Sequence, residues 1–147
     1  MKKIISLLIV MLGLNFGIKA QESVVPNMDP NAPDIKFENE TLDYGTIEYD
    51  ANGIREFKFT NSGKTPLTIT SVTGECGCTT TTIDGKPGWP QEPILPGKSG
   101  VIKVKYDTTR EGRFDKGVTV TSNAKFASKK VRIKGEVKAK PAGGASH

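Results

Sequence analysis

The chain has 147 residues, a formal net charge of +5 and only two cysteines. A chain of this length buries about two-thirds of its unfolded surface when it folds, so it does not need disulfide bonds as a scaffold. The small basic excess lies partly in the first twenty residues, so composition gives no argument for a nucleic-acid partner.

Residues 1–20 are typical of a secretory signal peptide. Lys2 and Lys3 precede an apolar stretch from Ile4 to Ile18, and we predict cleavage after Ala20. The stretch is shorter than the ~20 apolar residues of a spanning helix, so we expect no membrane span after cleavage. Cleavage leaves 127 residues and lowers the charge to +2, since the removed segment carries three of the 21 basic residues and no acidic ones.

We therefore expect an exported protein, located in the periplasm, on the cell surface or outside the cell. Residues 21–33 contain three prolines and little hydrophobic periodicity, which predicts a flexible N-terminal tether. Residues 139–147 are small and polar, which predicts a disordered C-terminal tail. Residues 34–138 remain as one domain of ordinary size.

Short runs of alternating apolar and polar residues fill this domain, and turn residues separate them. Phe57 and Phe59 share one face of the clearest run, and Val72 interrupts the alternation by following Ser71 directly. A bulge or a change of sheet between Ser71 and Gly74 would explain that interruption. Outside the signal peptide no convincing helical period occurs. Seven to eight short strands predict an immunoglobulin-like antiparallel two-sheet sandwich.

An ordered series of motifs carries a resemblance to a known family. In chain order they are Phe57-x-Phe59-x-Asn61-x-Gly63-x-x-Pro66-Leu67-x-Ile69, Cys76-Gly77-Cys78-Thr79, Pro93-Ile94-x-Pro96-Gly97-x-x-Gly100-x-Ile102-x-Val104-x-Tyr106-Asp107-Thr108, Gly112-x-Phe114 and Val118-x-Val120-x-Ser122-Asn123. The chain resembles the domain of unknown function 1573 family, exported bacterial domains common in Bacteroidota with a hydin-like or PapD-like fold. The resemblance implies fold and export but no established activity.

The two cysteines, Cys76 and Cys78, leave three interpretations open. A disulfide is the first, because Gly77 relaxes a backbone that would otherwise hold the two Cα atoms about 6.6 Å apart, near the limit for a bridge. Such a small ring would be easily reduced, which suits a redox role. Half of a soft-metal site is the second, and two small buried hydrophobic residues are the third.

A zinc or copper site needs further ligands, and after cleavage the chain offers only His147 in the tail and Met28 in the tether. We therefore assign no metal and no cofactor, and keep Cys76 and Cys78 as weak metal candidates. No histidine lies in the domain to activate a cysteine nucleophile, so we predict no catalytic residues and no enzyme activity.

Two features suggest contacts with other molecules. The last strand is cationic, and because no aromatic residues interleave with its charges, we interpret it as a solvated face rather than a nucleic-acid site; its residues are Lys129, Lys130, Arg132, Lys134, Lys138 and Lys140. Trp89, the single tryptophan, lies in a long loop, where it either closes one end of the sandwich or forms an interaction surface.

We interpret the chain as an exported structural or protein-interaction module. We expect a monomer or weak oligomer whose partner is an unknown envelope or extracellular protein. A sheet edge open to strand addition and the Trp89 loop would be its surfaces. The alternative is a small periplasmic redox or soft-metal protein that uses Cys76 and Cys78.

Overall fold

The computed structural model describes residues 26–143, and every regular element in that range is a β-strand. In chain order the strands are β1 (Ile35–Phe37), β2 (Thr41–Ile47), β3 (Ile54–Asn61), β4 (Ile69–Gly74), β5 (Thr79–Thr80), β6 (Thr82–Ile83), β7 (Lys86–Pro87), β8 (Ser99–Tyr106), β9 (Gly112–Ser122) and β10 (Ser128–Val137). The signal peptide, its cleavage site, the first five residues of the tether and residues 144–147 lie outside the described residues.

Eight of these strands form two four-stranded sheets. Sheet I has the order β1-β3-β8-β5, sheet II has the order β2-β10-β9-β4, and β6 and β7 form a small separate hairpin. The predicted immunoglobulin-like sandwich is confirmed, and the predicted seven to eight strands match the eight strands of its two sheets.

One strand pair departs from the predicted antiparallel pattern. The chain passes from sheet I to sheet II between Phe37 and Thr41, and β2 then runs parallel to β10. The Glu40 carbonyl accepts a hydrogen bond from the Arg132 amide (2.8 Å) at the start of this pairing. The first and last long strands of the domain are therefore neighbours.

The core lies between the sheets and follows the alternation of the sequence. Phe57 and Phe59 on β3 are at most 1% exposed, and Ile102 and Val104 on β8 are fully buried beside them. On β9 and β10 of sheet II, every second side chain points toward sheet I, and these inward side chains are also apolar. They include Val118, Val120, Val131 and Ile133.

A bulge bends β2 at Gly45. Its φ of +63° is readily adopted only by glycine, and the Asp43 carboxylate accepts a hydrogen bond from the Gly45 amide (2.8 Å). The register with β10 shifts at the same level. Tyr44 turns into the core there, and its hydroxyl donates to the Gly53 carbonyl (2.8 Å).

Of the two explanations for the interrupted alternation near Ser71 to Gly74, the bulge lies within β4, and the change of sheet comes only after Gly74. β4 shows a register shift between Ile69 and Ser71 and ends at Gly74 in sheet II, whereas the next strand begins at Thr79 in sheet I. A Cβ atom on Gly74 would overlap the Thr79 carbonyl, so the close approach of the two strands requires glycine. The Cys76-Gly77-Cys78 segment spans this corner.

The structure differs from the predicted tether over its described part. The Asn27 amide donates to the Lys125 carbonyl (2.8 Å), and the Lys125 amide donates to the Pro33 carbonyl (2.8 Å). Ala32 is 3% exposed and packs beside Gly63. Residues 27–33 are thus docked on the domain, since backbone pairing and a small apolar side chain compensate for the missing periodicity. In the predicted tail, residues 139–143 are exposed and form no strand.

Candidate functional site

The corner between the sheets holds the two cysteines close together. Their Cα atoms are 5.2 Å apart and their sulfur atoms lie within bonding distance. This spacing is shorter than the 6.6 Å or so of a regular strand, because the chain turns at Gly77. It is the geometry that the disulfide interpretation requires.

The two cysteines differ in their surroundings. Cys78 is 3% exposed and belongs to the core, and its sulfur lies 3.8 Å from the Thr79 hydroxyl. Cys76 is half-buried at the edge of the core. Gly77 between them is exposed, and a Cβ atom built on it would meet nothing within 4 Å. Solvent therefore reaches this corner at Gly77 and Cys76.

A small cavity of about 220 Å³ opens beside Cys78. Lys105 and Asp107 line it with opposite charges. The Asp107 amide also donates to the Cys78 carbonyl (2.8 Å), which fixes the end of the corner against sheet I.

The carboxylates next to the corner are already hydrogen-bonded. Glu75 accepts from the Gly117 amide (2.6 Å) and lies 3.6 Å from the Lys130 ammonium, and these interactions lower the pKa of the Glu75 carboxyl. Asp107 accepts from the hydroxyl and the amide of Thr109, which lowers the pKa of the Asp107 carboxyl. Because their charged forms are stabilised, neither group is suited to act as a general base near pH 7.

A disulfide across this corner would add little to stability by the usual entropic argument. By lowering the entropy of the unfolded chain, a bond between residues only two apart stabilises the folded state by roughly 1.6 kcal/mol, whereas a bond that closes a loop of about 100 residues gives roughly 4.7 kcal/mol. The position of the cysteines therefore does not suggest a structural staple.

Further metal ligands do not gather at the cysteines. Within residues 26–143 there is no group of three or more His, Cys, Asp or Glu residues able to hold a metal ion. Met28, a remaining candidate ligand, is 84% exposed in the N-terminal segment, and His147 lies outside the described residues.

A second candidate site is the open side of the sandwich between β1 and the first half of β10. The amides of Glu38 and Ser62 make hydrogen bonds between the chain ends of β1 and β3. Along an antiparallel pair, hydrogen-bonded positions alternate with positions whose amide and carbonyl groups point away from the partner strand. The amide and carbonyl groups of Ile35 and Phe37 therefore point away from β3. In residues 26–143 no strand pairs with β1 on that outer side.

The first half of β10 presents a matching edge. The Ser122 amide bonds to the Ala127 carbonyl, and the Arg132 amide points instead to β2. By the same alternation, the amide and carbonyl groups of Ser128 and Lys130 point away from β9. Both residues precede Arg132, where β10 starts to pair with β2. Two partly unpaired edges, one from each sheet, therefore border the open side.

A groove of about 420 Å³ runs along this side. Phe126, 52% exposed, forms its apolar wall. Lys129 closes the groove toward the core, because its ammonium lies 5.7 Å from the centre of the Phe37 ring and 2.8 Å from the Glu40 carboxylate. We call the site bordered by Ile35 to Phe37, Phe126 and Lys129 the open-side groove, with Ser128 and Lys130 beside it on β10.

Sequence reasoning did not identify the open-side groove. The available signal was Phe126, an aromatic residue in the otherwise small and polar turn between β9 and β10. An aromatic side chain outside the alternating pattern has no core position to occupy.

The cationic strand is neutralised by neighbouring carboxylates. Five of its six basic residues form ion pairs across the sheet or with the adjoining loops: Lys129 with Glu40, Lys130 with Glu75, Arg132 with Asp115, Lys134 with Asp43, and Lys138 with Glu48. Lys140 lies over the ring of Tyr49 instead. The pairing favours the interpretation of a solvated face.

The loop after the β6–β7 hairpin holds Trp89 against the sandwich. The Gly88 amide donates to the Thr81 carbonyl (2.7 Å), and the Lys103 amide donates to the Gly88 carbonyl (2.6 Å). Trp89 is half-buried and packs on the core. This placement favours the closing role over the exposed one, and an interaction surface at Trp89 stays a prediction.

The fold and the motif series together define the class of protein, an immunoglobulin-like sandwich of the PapD-like type. The chain belongs to the family described as Protein of unknown function (DUF1573), whose model matches residues 35–137. No curated protein matches it in sequence.

Solved structures share the fold at low sequence identity. A protein of unknown function from Porphyromonas gingivalis is 18% identical with a TM-score of 0.59, over 73% of this chain and 48% of that one. The human CEP192 PapD-like domain 7 is 10% identical with a TM-score of 0.57, over 84% and 99%. The secreted serine protease VesC from Vibrio cholerae is 12% identical with a TM-score of 0.53, over 71% and 23%.

The chain thus spans about half the length of the Porphyromonas gingivalis protein. These likenesses establish the fold, and they transfer no activity. In residues 26–143 no helix has the length and apolarity to cross a membrane.

Proposed function

We propose that this protein is an exported, non-catalytic interaction module that binds an extended segment of an envelope or extracellular protein in the open-side groove. The observation that carries the proposal is the outward orientation of the backbone groups of Ile35 and Phe37, which line the groove. On β10 the outward groups of Ser128 and Lys130 flank Lys129, which also lines it. The signal-peptide pattern of residues 1–20 supports export.

Strand addition fits the chemistry of this groove. The amide and carbonyl groups of Ile35 and Phe37 can extend sheet I by one strand, and those of Ser128 and Lys130 offer a second set of bonds. Main-chain bonds of this kind accept many sequences, whereas Phe126 would select an apolar side chain in the bound segment. The occupant is therefore an extended peptide with at least one apolar residue facing Phe126.

The other sheet edges are less suited to strand addition. The bulge at Gly45 bends β2. On β4 the outward carbonyl of Val72 already accepts a hydrogen bond from the Thr81 hydroxyl (2.6 Å). On β8 the Lys103 amide is bonded to Gly88. Among β1, β2, β4 and β8 within residues 26–143, these contacts favour β1 for strand addition.

A non-catalytic role agrees with the chemistry of the described residues. The single histidine of the chain, His147, is outside the domain. Glu75 and Asp107, beside the cysteines, are held in their charged forms by hydrogen bonds. A nucleophile without a placed base is a poor basis for catalysis.

A displayed library of random heptapeptides, selected on the mature protein, tests the proposal. We expect selected peptides to alternate apolar and polar residues and to shift the amide NMR signals of Ile35, Phe37, Ser128 and Lys130. Selection of no peptide, or shifts confined to other edges, would contradict it.

Two variants sharpen this test. Ser128→Pro removes one outward amide at the first residue of a strand, where proline is tolerated, and loss of one hydrogen bond weakens binding by about 3- to 10-fold. Phe126→Ser removes the apolar wall of the groove, and we expect it to weaken binding more than Ser128→Pro does. Trp89→Ala is the matched control: binding that falls with this variant and not with the other two would move the site to the Trp89 loop.

A further inference from the structure

We propose that Cys76 and Cys78 form a reversible disulfide that accepts electrons from a dithiol, with Cys76 as the sulfur that is attacked. This inference is independent of the open-side groove, which lies at a different side of the molecule and contains neither cysteine. It rests on the placement, exposure and support of the two residues.

The asymmetry of burial assigns the roles of the two sulfur atoms. Cys78 is 3% exposed, so an incoming thiolate cannot reach it, whereas Cys76 is half-buried and borders solvent at Gly77. Gly77 has no side chain, and nothing lies within 4 Å of the place where one would start. A thiol carried by another molecule can therefore approach Cys76 over Gly77.

The exchange balances in two steps. A thiolate of the dithiol attacks the Cys76 sulfur, the bond between Cys76 and Cys78 breaks, and Cys78 leaves as a thiolate that takes up a proton. The second thiolate of the dithiol then attacks its own partner sulfur in the mixed disulfide and releases Cys76, which also takes up a proton. Two electrons and two protons pass to the cysteine pair, and the dithiol becomes a disulfide.

The surroundings of Cys78 suit a leaving thiolate. The Thr79 hydroxyl lies 3.8 Å from its sulfur and can donate a hydrogen bond to it. Lys105 lines the cavity beside Cys78 with a positive charge, and Asp107 lines the same cavity with a negative one. The negative charge that forms on the Cys78 sulfur therefore lies near the Thr79 hydroxyl and the charged side chains of Lys105 and Asp107, and its pocket is not wholly apolar.

Backbone contacts hold the corner without the sulfur–sulfur bond. The Glu75 amide donates to the Gly117 carbonyl (2.9 Å) before the corner, and the Cys78 carbonyl accepts from the Asp107 amide (2.8 Å) after it. Within it, the Thr79 amide donates to the Cys76 carbonyl (3.2 Å). After reduction the two thiols therefore stay close enough to close again, which makes the bond reversible.

Dithiothreitol is the probe for the native mature protein, with alkylation and intact mass as the readout. We expect oxidised protein as purified, reduction of the pair without denaturant, return of the bond when the dithiol is removed, and an unchanged far-UV circular dichroism spectrum throughout. Unpaired thiols in the purified protein, reduction only after denaturation, or loss of the fold on reduction would overturn the proposal.

Single-cysteine variants test the assigned roles with 5,5′-dithiobis(2-nitrobenzoate). Cys78→Ala leaves Cys76 free, and we expect it to react at least 10-fold faster than Cys76→Ala, which leaves only the buried Cys78. Both rates are compared with those in denaturant, where the difference should vanish. Equal native rates, or a faster reaction at Cys78, would contradict attack at Cys76. If Cys78→Ala does not fold, Cys78→Ser replaces it.

Discussion

Glu75 and Gly117 are hydrogen-bonded to each other in both directions. The Glu75 amide donates to the Gly117 carbonyl (2.9 Å), and the Gly117 amide donates to the Glu75 carboxylate (2.6 Å). Lys130 reaches the same carboxylate from β10 by lying across Gly117. This arrangement joins the end of β4, the middle of β9 and the start of β10 immediately before the cysteine corner.

Gly117→Ala should disturb this arrangement. Its methyl group would overlap the Lys130 side chain, which must move away from Glu75. Because the displaced atoms belong to a flexible exposed side chain, we expect a loss of about 0.5–1 kcal/mol of unfolding free energy, measured by urea denaturation. Gly143→Ala is the matched control with no effect, since nothing surrounds that position.

Stability should depend on pH through Glu75. The Gly117 amide, followed by Lys130, lowers the pKa of the folded-state Glu75 carboxyl below its ordinary value of 4.5. A lowered folded-state pKa means that the stabilisation is present above pH 4.5 and is lost as the pH falls further. Urea midpoints at pH 7 and pH 3 should therefore differ more for the wild type than for Glu75→Gln. The same pH dependence in both proteins would contradict this assignment.

Tyr44→Phe should destabilise the domain by about 1.5 kcal/mol, because it leaves the buried Gly53 carbonyl without its donor. Burial raises the pKa of Tyr44 to about 12. A raised folded-state pKa gives stability that is complete below pH 10 and lost as the pH rises toward 12. The wild type should thus lose more stability than Tyr44→Phe between pH 9 and 12, and an equal loss would argue against this tyrosine as the source.

Gly63→Ala should release the docked N-terminal segment. A methyl group at Gly63 would overlap the backbone of Ala32 and Pro33, and backbone atoms cannot move aside as a long side chain can. We expect faster proteolysis within residues 27–33 and little change in the strands, read by mass spectrometry of limited digests. Protection equal to that of the wild type would show that the segment adapts without leaving.

Trp89→Ala should lower the unfolding free energy of the domain. The half-buried indole packs on the core, so its removal should cost about 1.5 kcal/mol, roughly half the loss for a fully buried tryptophan. Urea denaturation followed by circular dichroism measures it, since the variant lacks its only fluorescent tryptophan. Gln91→Ala, exposed in the same loop, is the control. An unchanged midpoint would favour an interaction role for Trp89.

Local patterns were sufficient to predict the sandwich. The side chains of Phe57 and Phe59 point to one face because strand geometry alternates, and this needs no knowledge of distant residues. The interruption at Ser71 and Val72 likewise predicted a local irregularity, and a bulge shifts the register there. The change of sheet follows between Gly74 and Thr79, where Gly74 allows the close approach of Thr79, five residues away.

Features set by distant contacts could not be predicted. The parallel pairing of β2 with β10 joins residues about 90 apart, and the pair of Lys130 with Glu75 crosses a third strand at Gly117. The open-side groove depends on where β2 begins to pair with β10, which no local pattern records. Docking of residues 27–33 likewise depends on the absence of a side chain at Gly63.

The parallel pairing of β2 and β10 also determines how the domain would respond to mechanical force. The polypeptide enters at the end of the sandwich where β2 and β10 both start, and it leaves at the opposite end after Val137. A pull on the two ends would draw these neighbouring strands in opposite directions along their length. The hydrogen bonds between them would then bear the load together in shear, and the domain would resist extension until they broke as a group.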